Sequence, residues 1–345
     1  MPGQDTISKT AIWVAAARAI GAREPDPAVR NPDRLAGALL GDPAQLEGDI
    51  PIVEFLAGSY AAAMQEIEVA GTVRAMTERT RFIDQALQRA VADGAVQCLI
   101  LGAGLDSRAY RCTELLAGRR VYEVDRPVTS EFKQGRVAAA LGGAPANLTY
   151  VAADLQHETL PDALARHGYD PARRTFVLME GLTMYVQEQP LRDTFRFLAT
   201  HAPGSSIVFD FATRAMIDGL GKVDLTKVPP ANRPPIERFM NMIRHEPWVF
   251  GMPLDGEHEF LAGLGLQLRE LLTVGSEESV RRYLTRADGT TLGAEAQARA
   301  EALRRLVQER MVATMEPAQR EMAETAMREQ ARQNAYRIAE AVVGS

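Results

Sequence analysis

The sequence predicts an α/β fold: a doubly wound, mostly parallel, seven-stranded sheet with helices on both faces. Three observations carry this. Five short apolar runs, near 97–101, 120–125, 148–153, 175–180 and 205–211, alternate with helix-compatible stretches at 107–117, 130–141, 158–168 and 189–201. That is the rhythm of parallel strands joined by crossover helices. The first run breaks at Gly102-Ala103-Gly104 and passes into a polar, helix-starting segment, so a buried strand delivers a glycine-rich turn. The second run, VYEVD, ends on Asp125, roughly 20 residues beyond those glycines, where a ribose-binding carboxylate is expected.

Taken in order, residues 8–20 read as a helix capped by Ser8, with Ile12, Trp13, Ala16, Ala17 and Ile20 along one face. Prolines punctuate 25–43, and helix-compatible sequence returns around 52–70. None of it looks like sheet, so 1–74 is predicted to be a helical N-terminal cap. TERTRFIDQALQRAVA (77–92) carries Phe82, Ile83, Ala86, Leu87, Ala90 and Val91 on one stripe and closes at Gly94. The core follows, over 75–290. Within it, residues 214–258 interrupt the alternation with KVPPANRPP and an apolar patch around Phe239, Met242 and Trp248. A long insertion at that point is expected to cover a substrate. LQLRELL (266–272) and VRRYLTR (280–286) read as a terminal antiparallel pair on the sheet edge. Residues 291–345 read as a helical extension divided by Pro317, with Leu303, Leu306, Val307 and Met311 on one stripe, then Met322 and Ile338. Such stripes need a surface to cover, either the chain's own cap or, the favoured expectation, a second subunit in a homodimer.

The 39 basic and 45 acidic side chains leave a net charge of −6 with no basic block, which argues against a nucleic-acid partner. The two cysteines, Cys98 and Cys112, form no disulfide pattern and suit a reducing compartment. No signal-peptide layout and no membrane span is readable, so a soluble cytoplasmic protein is expected. The histidines lack metal-ligand spacing, and no metal is expected.

The glycine turn narrows the ligand. GAGLD has Ser107 where a dinucleotide fingerprint has its third glycine, and Asp106 places a carboxylate at the turn. A pyrophosphate, as in an NAD-dependent oxidoreductase, would be repelled there, whereas the ammonium and sulfonium of S-adenosyl-L-methionine would not. The alternative is a structural turn in which Asp106 caps the next helix.

With those residues in place, the chain resembles the leucine carboxyl methyltransferase-like family of S-adenosylmethionine-dependent O-methyltransferases, in its bacterial polyketide carboxyl methyltransferase branch. The matching stretches are SKTAIWVAAARA (8–19), ERTRFIDQAL (78–87), LGAGLDSRAYR (101–111), YEVDRP (122–127), VAADL (151–155), LMEGLTMYV (178–186), EPWVFGM (246–252) and FLAGLGLQLRE (260–270). The resemblance spans about residues 8–290, and the tail departs from it. It implies the class I methyltransferase fold and assigns roles residue by residue. Arg79 would grip the methionine carboxylate, with Arg81 the rival on an adjacent face. Gly102, Ala103 and Gly104 would seat the amino-acid moiety, and Asp125 would accept the ribose hydroxyls. Asp154 and Leu155 would hold the adenine, and Glu180 would stand at the methionine end.

The acceptor decides whether a base is needed. A carboxylic acid, with reference pKa near ~4, is already ionised at neutral pH, whereas a phenol near ~10 benefits from a general base. Of the five histidines, His245 and His258 flank the insertion and are the best base candidates, His245 first. Tyr185, five residues beyond Glu180, could hydrogen-bond a substrate oxygen or equally cover the helix packing below, and Trp248, Phe250 and Met252 suit either an apolar pocket wall or the core. The absence of an obvious base favours a small-molecule carboxylate as acceptor over a phenolic natural product.

Overall fold

The computed structural model describes residues 7–46, 50–155, 157–220, 224–313 and 315–344. The helices are α1 (Lys9–Gly21), α2 (Ala36–Leu40), α3 (Tyr60–Gln65), α4 (Ile67–Ala92), α5 (Arg108–Arg111), α6 (Pro127–Leu141), α7 (Leu160–Ala165), α8 (Glu188–Ala199), α9 (Arg214–Gly219), α10 (Arg233–His245), α11 (Glu257–Ala262), α12 (Glu277–Tyr283), α13 (Ala294–Val312) and α14 (Pro317–Gln333). The strands are β1 (Gln97–Leu101), β2 (Arg120–Asp125), β3 (Leu148–Ala152), β4 (Thr175–Met179), β5 (Ser206–Ala212), β6 (Leu266–Thr273) and β7 (Tyr336–Val343). They form one seven-stranded sheet in the order β3-β2-β1-β4-β5-β7-β6. Strands β1 to β5 are parallel, and β7 runs antiparallel to both β5 and β6.

The five predicted parallel strands are present because each is a short, mostly apolar run, interrupted in β2 by Glu123 and in β5 by Asp210. β1, β4 and β5 are buried along their whole length, as strands covered on both faces must be. On one face the core gathers Ile12, Ile20, Phe82, Ile83 and Leu87 of α1 and α4 against Cys98, Ile100, Phe176 and Leu178. On the other, Leu164, Phe195, Leu198 and Leu261 pack on Leu99, Val177, Ile207 and Phe209.

Three elements differ from the sequence reading. VRRYLTR is not a strand: α12 occupies 277–283, capped by Ser276, whose hydroxyl accepts from the Ser279 N–H. Glu277 and Glu278 in its first turn and Arg281 and Arg282 in its last complement the helix dipole. The extension is not wholly helical either. Residues 336–343 of it, YRIAEAVV, are β7, inserted between β5 and β6, so the antiparallel pairing of β6 is with β7. Arg337 and Glu340 hide this strand in the sequence because they interrupt its apolar run. Both are buried and paired, Arg337 with Glu257 at 2.5 Å and Glu340 with Arg89 at 2.5 Å. Finally, α4 runs unbroken for 26 residues across the expected cap–core boundary at 74 and 75.

The two tail helices pack against the chain's own cap and insertion. Gln65 of α3 donates to Glu295 at 3.2 Å, and the Gln330 side chain reaches the Ala215 carbonyl of α9 at 3.5 Å. Among the described residues no helix is long and apolar enough to cross a membrane. Cys98 and Cys112 are both free thiols.

Candidate active site

The carboxyl ends of the parallel strands converge on the glycine turn, where open α/β sheets bind their ligands. Gly102 and Gly104 adopt φ of +64° and +41°, a region that side chains disfavour. A Cβ built on Gly102 would sit 3.0 Å from a Leu182 methyl, a contact tight enough that the leucine would have to shift. The Gly102 and Ala103 N–H groups bond the Val124 carbonyl, at 2.9 and 3.2 Å, and the Gly104 N–H donates to Asp125 at 2.6 Å. The Arg126 N–H donates to the other Asp125 oxygen at 2.8 Å. Asp125 thus stands at the tip of β2, half-buried and oriented by two backbone donors. Burial raises its pKa, and those two bonds pull against the rise.

Glu123, the alternative ribose ligand, points elsewhere. It is buried against Lys133 at 2.8 Å and accepts from Tyr110 at 3.1 Å. Asp154 and Leu155 lie just beyond β3, the leucine 46% exposed and available to cover a planar ring.

Around Glu180, at the tip of β4, the structure assembles an ionic cluster that the sequence showed only in part. Arg79 reaches Glu180 at 2.8 Å and Asp210 at 2.8 Å, and it donates to Tyr336 at 2.7 Å. Arg108 meets Glu180 at 2.6 Å and Asp84 at 2.8 Å, and Arg18 meets Glu180 at 3.2 Å. Burial favours the neutral form of Glu180, but Arg79, Arg108 and Arg18 outweigh it and hold the carboxyl well below the usual range. Asp210 also accepts from the Gly181 N–H at 2.7 Å and from the Tyr336 hydroxyl. Arg79 Nε and Arg108 Nη2 are buried donors without a protein partner, so the cluster retains hydrogen-bonding capacity for a ligand.

Arg81, in contrast, bonds among the described residues only the Pro27 and Arg30 carbonyls, at 3.4 and 3.1 Å, away from the strand tips. Asp106 does not open onto the turn. It is ion-paired with Arg108 and accepts the Arg108 N–H at 2.7 Å. Its charge is therefore spent internally on Arg108, and the repulsion of a pyrophosphate expected from it is weakened.

Tyr185, half-buried on the short turn after Glu180, lies edge-on to Trp248 with ring centres 6.4 Å apart. Burial raises its pKa while contacts with Thr10 and Trp248 lower it, the rise prevailing, so it is a hydrogen-bond donor rather than an anion. His245 ends α10 in an exposed position, and among the described residues no bond joins it to Glu180 or Tyr185. His258 is likewise exposed. Phe250 and Met252 are buried in the core, while the side chains of Phe239 and Met242 lie outside the described residues.

Arg18, Arg108, Asp210 and Tyr336 were not singled out from the sequence. Asp210 had a legible signal, a carboxylate inside the apolar run IVFDFA. Tyr336 had none, since it opens a strand read as helix.

The geometry suits S-adenosylmethionine. A glycine turn gives close approach, a carboxylate stands at the tip of β2, and a charged cluster with unspent donors stands at β4 and β5. The bound cofactor supplies an electrophilic methyl group, and the chain's share is to bind and align.

Relatives agree. A family model described as leucine carboxyl methyltransferase matches residues 11–199, from α1 to the end of α8. A protein of Mycolicibacterium vanbaalenii is 37% identical over 213 residues, covering 60% of this chain and 67% of its own. One of Mycolicibacterium smegmatis is 36% identical over 222 residues, covering 63% and 71%. Both bear the name "putative S-adenosyl-L-methionine-dependent methyltransferase". Among solved structures, one titled "putative methyltransferase" from Thermobifida fusca superposes with a TM-score of 0.48 at 14% identity, covering 94% of this chain and 97% of its own. The turn, the acidic strand tip and the EGLTMY segment all fall inside the matched span, and the chain belongs to the leucine carboxyl methyltransferase family of S-adenosyl-L-methionine-dependent methyltransferases.

Proposed function

We propose that the methyl group goes to the carboxylate of a small molecule. The observation that carries this is the commitment of the carboxylates at the strand tips: Glu180 is bound to three arginines, and Asp210 to Arg79, Gly181 and Tyr336. Neither is placed to take a proton from a phenol, and a carboxylate acceptor gives up none. Arg214, half-buried directly after β5, supports the same reading. Its guanidinium makes one 3.4 Å hydrogen bond, to the Val249 carbonyl, and pairs with no carboxylate among the described residues. In this proposal Arg214 holds the acceptor carboxylate, and Tyr185 donates to an acceptor oxygen. Residues 214–258 cover the acceptor.

On the cofactor side, Asp125 takes the ribose, and Asp154 and Leu155 the adenine. Gly102, Ala103 and Gly104 seat the methionine portion. Glu180, with Arg79 fixed beside it, faces the methionine end.

The test is to incubate the protein with methyl-labelled cofactor and a panel of carboxylic acids and phenols. Products are followed by mass spectrometry before and after mild alkali. A methyl ester is cleaved and releases labelled methanol. An alkali-stable labelled product is an aryl ether and overturns the carboxylate reading.

A further inference from the structure

We infer that Glu246 is a catch holding α1 closed over the cofactor seat, and thus a positioning residue that sets how fast S-adenosylmethionine and its demethylated product enter and leave. α1 lies across the glycine turn. A methyl built on Gly104 would be 3.8 Å from the Ala11 Cβ, and Arg18 of the same helix donates to the Leu105 carbonyl at 2.8 Å. A ligand seated on that turn therefore has α1 above it.

The two ends of this roof are held differently. At the rear, Arg18 is buried and paired with Asp33 at 3.0 Å and Glu180 at 3.2 Å. At the front, the first turn of α1 meets Tyr185 through Thr10, and its N-terminal groups are gathered by one partly buried carboxylate from far along the chain. Glu246 accepts from the Ser8 hydroxyl at 2.7 Å, the Lys9 N–H at 2.8 Å and the Thr10 N–H at 3.4 Å. These backbone groups are among those a helix start leaves without intrahelical partners, so Glu246 completes the cap that Ser8 begins on Ala11.

Glu246 is itself firmly placed. Two and three residues on, Trp248 packs on Tyr185, and the Val249 N–H donates to the Met184 carbonyl at 2.7 Å. The catch thus ties the front of α1 to the segment that follows Glu180. Water can replace its three bonds one by one, whereas freeing the rear would expose a buried ion pair. The front is the end that opens. This concerns cofactor exchange and holds whatever the acceptor is.

The two tryptophans of the chain report on this seam, Trp13 in α1 and Trp248 beside Tyr185. The experiment is stopped-flow tryptophan fluorescence with S-adenosylhomocysteine on the full chain, alongside a thermal melt. Glu246→Ala is expected to accelerate both association and dissociation by roughly five- to tenfold, the scale of a lost helix cap, with the dissociation constant changing far less. Glu246→Gln, which keeps one acceptor oxygen, should fall between. A purely structural role would lower the melting temperature and leave the association rate at its original value or below. Rates within twofold of the parent in a cooperatively folding Glu246→Ala protein overturn the catch. If that variant does not fold, Ser8→Ala removes the hydroxyl that donates to Glu246 and accepts from Ala11, and leaves the Lys9 and Thr10 bonds to Glu246 in place. It should shift both rates in the same direction, and unchanged rates there also overturn the proposal.

Discussion

Arg79 is the arginine paired with the fully buried Asp210 and one of three paired with Glu180. Removing one partner of such a cluster is costlier than the cluster's net contribution, because the remaining charges keep their desolvation penalty. Arg79→Ala is therefore expected to lower stability by about 3 kcal/mol as well as weaken cofactor binding. Arg81→Ala, at a position bonded among the described residues only to loop carbonyls, should do neither. Thermal melts and S-adenosylhomocysteine calorimetry on both variants check this, and equal losses would remove the distinction. Asp125 is the cleaner probe of the cofactor seat, since it is held by backbone donors and anchors no other side chain. Asp125→Ala should cost about 1–3 kcal/mol of binding free energy with a small effect on the melt. An unchanged affinity would take the ribose away from Asp125.

The elements that could be read from the sequence are those whose burial follows from an uninterrupted pattern. β1, β4 and β5 are mostly apolar and buried along their whole length, so their positions were plain. The glycine turn and Asp125 were legible for the same reason, each marking where an apolar run stops. β7 was not, because its two charged residues are compensated by partners in β6, α4 and α11 that no local window contains. The arginine cluster was hidden likewise: Arg18, Arg108 and Asp210 meet Glu180 or Arg79 only after three elements have packed.

Element context also sets one pH dependence. Glu68, in the first turn of α4, has its pKa pushed up to about 7 by burial, which the positive charge of Arg238 only partly offsets. A carboxyl whose folded pKa is raised favours the folded state below its unfolded value and costs stability as pH rises through about 7. Glu68→Gln should thus raise the melting temperature at pH 8 and leave it nearly unchanged at pH 4. The group is partly solvated, so about 1 kcal/mol is the expected scale after screening. A gain of equal size at both pH values would show that charge burial is not the cause.

For the molecule as a whole, the position of β7 reverses what the tail means. Read as an appendage, residues 294–345 could be removed from a finished fold. In the structure they leave the core at Gly293, form two helices, and return to place β7 between β5 and β6. A chain ended at residue 334 would strip both neighbouring strands of their hydrogen-bonded partner. It would also take Tyr336 from Asp210 and Arg79, and Glu340 from Arg89 and Ser206, leaving several buried polar groups unsatisfied. Each such group costs about 1–3 kcal/mol, and together they approach the ~5–15 kcal/mol by which a typical domain is stable. The truncated protein is expected to lose its cooperative thermal transition and its near-ultraviolet circular dichroism. S-adenosylhomocysteine affinity should vanish with them, because Arg79 and Asp210 depend on β7 for their geometry. A truncated chain that melts cooperatively and still binds would mean that the sheet is complete without its last strand.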